Sequence, residues 1–93
     1  MKIEVGNFVI NSDQFSMWIT EKRVVENGKT KGEIKYDRVT GYYSSVEGLL
    51  KDFKRRRVWG SDVETIEELR TLIASIDELC QELGKAFDEA MGR

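Results

Sequence analysis

Between residues 2 and 43 apolar and polar positions alternate with a period of two, the pattern of half-buried strands. Lys2–Ile10 reads as one strand, with Ile3, Val5 and Val9 on one face and Phe8 and Ile10 on the other. Asn11, Ser12 and Asp13 then make a turn, because their short side chains bond to nearby backbone. A second strand, roughly Phe15–Val25, sets Phe15, Met17 and Ile19 against Ser16, Trp18 and Thr20. Asn27-Gly28 and Lys31-Gly32 mark a hairpin within Glu26–Glu33, where positive φ comes at little cost. A third strand, about Ile34–Tyr43, follows it, and three antiparallel strands in sequence order are the simplest arrangement.

From Ser44 the period changes to 3.6. Ser44 and Glu47 have capping-box spacing, and Val46, Leu49, Leu50 and Phe53 form the i, i+3, i+4, i+7 stripe of one buried helix face. That helix ends near Val58, at Trp59-Gly60. Ser61 and Glu64 repeat the capping spacing and open a second helix, about Asp62–Met91. Its residues Ile66, Leu69, Ile73, Ile76, Cys80, Leu83, Phe87 and Ala90 are spaced alternately by three and four, a heptad seam, which Leu72, Leu79 and Ala86 widen on one flank. A helix of that length spans roughly 45 Å, whereas a compact chain of this size is roughly 32 Å across. The reading is therefore that the helix overhangs its own body, carrying Phe87 and Met91 out to a partner. Gly84 costs ~1 kcal/mol in a helix interior, but Phe87, Ala90 and Met91 stay in phase beyond it, so the helix is expected to continue. The expected fold is α+β, a three-stranded antiparallel meander followed by a short and a long helix (β-β-β-α-α). It forms a single domain over 1–93: sheet 1–43, first helix 44–59, second helix 61–91.

Composition removes several kinds of chemistry. The 93 residues contain no histidine, which excludes histidine triads, proton relays and zinc sites built on imidazole. Cys80 is the one cysteine, so no intrachain disulfide exists. It falls on the seam, where a small buried hydrophobe is the simplest role. The sequence starts with charged, strand-like residues and has no apolar run near ~18 residues, so neither a signal peptide nor a membrane span is expected. Glu67/Glu68, Glu78/Glu82 and Asp88/Glu89 lie largely off the apolar stripe and read as a solvated face rather than acid–base or metal pairs. Gly28 and Gly32 beside Lys29 and Lys31 lack P-loop spacing and join two strands, so they read as a hairpin tip. No catalytic, cofactor-binding or metal-ligating set is read from the sequence.

Charge is segregated. Residues 1–60 hold 12 basic and 8 acidic side chains, net +4, and residues 61–93 hold 3 and 9, net −6. Lys51, Lys54, Arg55, Arg56 and Arg57, with Phe53 and Trp59 close by, suggest phosphate contact with aromatic stacking. A helical wheel spreads these cations around the helix, however. The acidic terminal helix offers them partners inside the chain, and basic residues late in a helix suit its dipole.

The run Thr20-Glu21-Lys22-Arg23-Val24-Val25-Glu26-Asn27-Gly28-Lys29-Thr30-Lys31-Gly32-Glu33, followed by Gly41-Tyr42-Tyr43-Ser44-Ser45-Val46-Glu47-Gly48-Leu49-Leu50-Lys51, resembles small accessory proteins of phages and prophages of Gram-positive bacteria. In these a lysine- and glycine-rich hairpin leads through a Gly-Tyr-Tyr segment into a helix and then a glutamate-rich terminal helix. The likeness spans about residues 15–80. It implies a cytoplasmic accessory protein of an infected or lysogenic cell, and it carries over no catalytic residues. Inhibitors of host defence nucleases, anti-CRISPR proteins among them, are an analogy of size and context.

The functional expectation is a non-enzymatic protein that binds another protein, such as a host factor that it inhibits or regulates. The alternative is a nucleic-acid-binding protein using the basic first helix. Self-association, in the simplest case as a dimer, is assigned to Ile66, Leu69, Ile73, Ile76, Cys80, Leu83 and Phe87. Lys51, Lys54, Arg55 and Arg56, with Lys29 and Lys31 on the hairpin, are the candidate partner contacts. No cofactor is expected.

Overall fold

The structure, a computed structural model, describes residues 1–92. Its elements are β1 (Lys2–Val5), β2 (Phe8–Ser12), β3 (Met17–Val24), β4 (Ile34–Arg38), α1 (Val46–Trp59) and α2 (Ile66–Ala90). The strands form an antiparallel sheet in the order β1-β2-β3-β4, and both helices lie on one side of it. The class is α+β as expected, but with four strands rather than three.

The extra strand comes from Gly6-Asn7, which folds Lys2–Ile10 back on itself so that Val5 pairs with Phe8 and Ile3 with Ile10. Gly6 has a φ of 60° and Asn7 a negative one, the signature of a tight hairpin with glycine at its first central position. The turn also reverses the expected faces. Cross-strand partners share a face, so Ile3, Val5, Phe8 and Ile10 all point toward the helices, and Val9 points away.

β3 begins at Met17 because Asp13 holds the preceding turn, its Oδ1 accepting from Phe15 N–H and Ser16 N–H at 2.8 Å each. Phe15, expected to share a face with Met17 and Ile19, is left 79% exposed at that turn. β4 ends at Arg38, five residues earlier than expected of Tyr43. There the buried Thr40 takes over the ladder: its Oγ1 accepts from Ile19 N–H at 3.0 Å and donates to Gly41 O at 2.8 Å. The chain rejoins β3 only at Tyr43, which bridges to Met17.

The helix caps are not the expected ones. Ser45, rather than Ser44, caps α1, its Oγ accepting from Gly48 N–H at 3.2 Å. Thr65, rather than Ser61, caps α2, accepting from Glu68 N–H at 3.1 Å, while the Glu68 carboxylate accepts in turn from Glu64 N–H at 3.0 Å. Ser61 closes α1 instead, donating to Val58 O at 2.7 Å.

Phe8, Ile10, Ile19, Leu49, Phe53, Leu83 and Phe87 make the core, with the Phe8 and Phe53 rings edge to face at 5.1 Å. α2 has 25 residues, or about 37 Å at ~1.5 Å per residue, and its C-terminal half packs into the core through Leu83 and Phe87. Phe87, expected beyond the body, is buried. Ile76 and Leu83 are also buried in this chain's own interior, so three of the seven residues assigned to self-association are already used. The exposed end of the seam is the opposite one, where Ile66 is 64% exposed and Leu69 and Ile73 are half-buried. The helix passes through Gly84 unbroken.

Candidate binding groove on the first helix

α1 is tied to the sheet by one buried carboxylate that sequence reasoning missed. Asp52 is 2% exposed, and it accepts from Gly41 N–H at 2.9 Å, Arg55 Nη2 at 2.6 Å and Arg56 Nε at 3.1 Å. Burial pushes the carboxyl up. The Gly41 amide, the two guanidinium groups and Tyr43 more than reverse this and hold it at about 2. Asp52 thus fixes the Thr40–Gly41 excursion against α1 and sets the direction of two arginines. Its position next to Phe53 hides it in the sequence, because the apolar stripe marks only its neighbour.

The cations divide between two sides of α1. Lys51, Lys54 and Arg55 line an open groove of about 590 Å³ together with Tyr43, Val58 and Trp59. Gly48 lets the Tyr43 ring lie on the helix, since a Cβ there would sit 3.1 Å from the ring. Trp59 is 75% exposed at the groove's end, with the Arg55 guanidinium 5.3 Å from its ring centroid. Arg56 and Arg57 border a different hollow with Val39 and Leu72. Arg57 reaches Glu21 at 3.9 Å and lies over the Phe8 ring at 5.5 Å.

Most of the charge expected to meet a partner is spent inside the chain. Lys54 pairs with Asp77 of α2 at 2.6 Å, and Arg55 and Arg56 share Asp52. Lys51 makes no ion pair among the described residues. Lys29 and Lys31 are exposed on the β3–β4 hairpin, far along the chain from α1, where Gly28 and Gly32 have φ of 91° and 92°. Cys80 is half-buried with its Sγ 4.0 Å from Leu50 O, and burial pushes its thiol up, away from the reactive thiolate. Glu67, Glu78, Glu82, Asp88 and Glu89 are exposed, and no cluster of three or more metal-binding side chains occurs among the described residues. No helix among them is long and apolar enough to cross a membrane.

With this geometry in view, residues 4–88 match the family model described as a domain of unknown function, DUF5405. The chain belongs to this family. A relative described as an uncharacterized 10.4 kDa protein in the GpA 5′ region of Escherichia phage 186 is 29% identical over 87 residues, spanning 92% of this chain and 94% of its own. Another, an uncharacterized 10.2 kDa protein in the GpA 5′ region of Escherichia phage P2, is 25% identical over 83 residues, spanning 88% and 90%. No solved structure matches the chain. These relatives are phage proteins, as the sequence resemblance implied, but of Escherichia phages rather than those of Gram-positive bacteria.

Proposed function

We propose that this DUF5405 protein is a non-enzymatic phage accessory protein that regulates a host factor by binding a protein surface in the α1 groove. The observation that carries the reading is the groove's composition. It joins an exposed tryptophan, a tyrosine and an arginine, the side chains that anchor protein interfaces, to Lys51, which makes no ion pair among the described residues. Its one acid, Asp52, is buried and engaged. A polyanion tracked by this helix would need several free cations, and Lys54, Arg55 and Arg56 already have carboxylate partners. That favours a protein over nucleic acid at this site.

The test is affinity capture from a bacterial lysate, with and without nuclease, using the wild type beside Trp59→Ala and Lys51→Glu. A captured protein should survive nuclease treatment and be lost by both variants. The absence of any protein that survives nuclease, or a protein retained equally by the variants, would refute the reading.

A further inference from the structure

The face of the sheet turned away from the helices holds an unusual set of side chains for a merely solvated surface. Alternation along the strands places Trp18, Lys22, Tyr36 and Arg38 on it, and Tyr42 joins them from the segment after β4. Tyr36 and Tyr42 are 52% and 59% exposed. Trp18 stands edge to face with Tyr42 at 5.2 Å, and the Arg38 guanidinium lies 4.8 Å from the Tyr42 centroid. Lys2 and Lys22 make no ion pair among the described residues, and Glu4 is the lone acid that alternation puts on this face.

Between β1 and Tyr36 the face dips into a hollow of about 190 Å³ over Val9, Asn11 and Thr20. Asn11 donates its amide hydrogens to Val9 O at 3.1 Å and Thr20 Oγ1 at 3.0 Å, which fixes the side chain and leaves its oxygen free to accept.

We infer that this sheet face is a binding platform for single-stranded nucleic acid, a second activity separate from the α1 groove. Trp18 and Tyr36 lie four residues apart in the β3–β4 register, about 13 Å along the strands, the span of a few unstacked nucleotides. Their rings offer stacking surfaces that tolerate any base. Lys2, Lys22 and Arg38 supply phosphate partners around them. A duplex keeps its bases stacked and denies them to the rings, so the single strand is the form this face selects.

The experiment is fluorescence anisotropy with labelled oligothymidylate and oligouridylate of about 12 nucleotides, within the site sizes of single-strand binders, beside a duplex of equal length. The protein should bind one or both single strands more tightly than the duplex, and which of the two it prefers separates DNA from RNA. Tyr36→Ala and Trp18→Ala should each weaken binding by about tenfold, while Tyr36→Phe, which keeps the ring, should bind as the wild type does. Log K should fall with log salt by ~2 for three phosphate contacts. Trp59→Ala, on the other side of the molecule, should leave oligonucleotide binding unchanged. Circular dichroism of each variant confirms its fold. Failure of both single strands to bind at ~100 µM in ~0.1 M salt, weaker than ordinary non-specific association, would overturn the proposal. So would binding that persists in Tyr36→Ala and is lost in Lys51→Glu, or a protein partner captured by the wild type and lost in Tyr36→Ala.

Discussion

The contribution of Asp52 to the fold can be worked from its surroundings. A carboxyl held at about 2 in the native state, against an ordinary 3.8, gains roughly 2.4 kcal/mol on folding at neutral pH. Its arginine partners are each 51% exposed, and the water around them trims this to about 2 kcal/mol. The folded-state value lies below the unfolded one. The stabilisation is therefore complete above about pH 4 and is lost as the pH falls through about 2. Asp52→Asn keeps an acceptor for Gly41 N–H but gives up the charge, so it should cost about 2 kcal/mol at pH 7 and almost nothing at pH 2. Asp52→Ala also strands the Gly41 N–H, adding about 1 kcal/mol or more and lowering Tm by about 10 °C or more in a chain of this size. Urea titrations of wild type and Asp52→Asn at intervals between pH 2 and 7 give the difference directly. A gap that stays constant across that range would show that the carboxylate's charge does not stabilise the fold, and the argument would fail.

Gly84 sits inside α2 with a negative φ, and a Cβ there would meet Leu50 Cδ1 at an ordinary 3.5 Å. Gly84→Ala should accordingly raise stability by about 0.5–1 kcal/mol, and a lower thermal midpoint would refute that. Self-association, if it uses the long helix, falls to Ile66, Leu69 and Ile73. Sedimentation at ~100 µM, a weak-dimer regime, should show a dimer that Ile66→Glu with Ile73→Glu converts to a folded monomer, and a wild type that is monomeric there would end the proposal. Leu83→Asp should instead unfold the chain, because it puts a carboxylate among buried apolar groups.

The elements with a strong, uninterrupted period were legible. The stripe Val46, Leu49, Leu50, Phe53 and the helix through Gly84 follow from spacing alone, and so does the hairpin at Gly28 and Gly32. What escaped was decided by single residues acting on backbone. Gly6-Asn7 carries a turn inside what reads as one strand, and folding the chain back there puts Phe8 and Ile10 on the face of Ile3 and Val5. Thr40 and Asp52 spend side-chain oxygens on Ile19 and Gly41 amides far away in sequence, pairings that no local pattern announces. Phe87, expected beyond the body, joins the core because the extra strand β1 packs against α2. For the groove, the basic run Lys51–Arg57 and its spread around α1 were visible, but the pairing of Arg55 and Arg56 with the buried Asp52 was not. Trp18, Tyr36 and Tyr42 gather only once the strands are paired.

The packing of α2 across the sheet also governs when the protein can fold during its synthesis. Ile3 and Val5 rest against a core that is incomplete until Leu83 and Phe87, much later in the chain, have left the ribosome. The nascent sheet must therefore wait with one oily side bare, and the ribosome tunnel hides the very turns of helix that would cover it. A stop codon before Phe87 would release a polypeptide missing its last core side chain, and the cell's proteases would meet it as an unfinished protein rather than a shortened one.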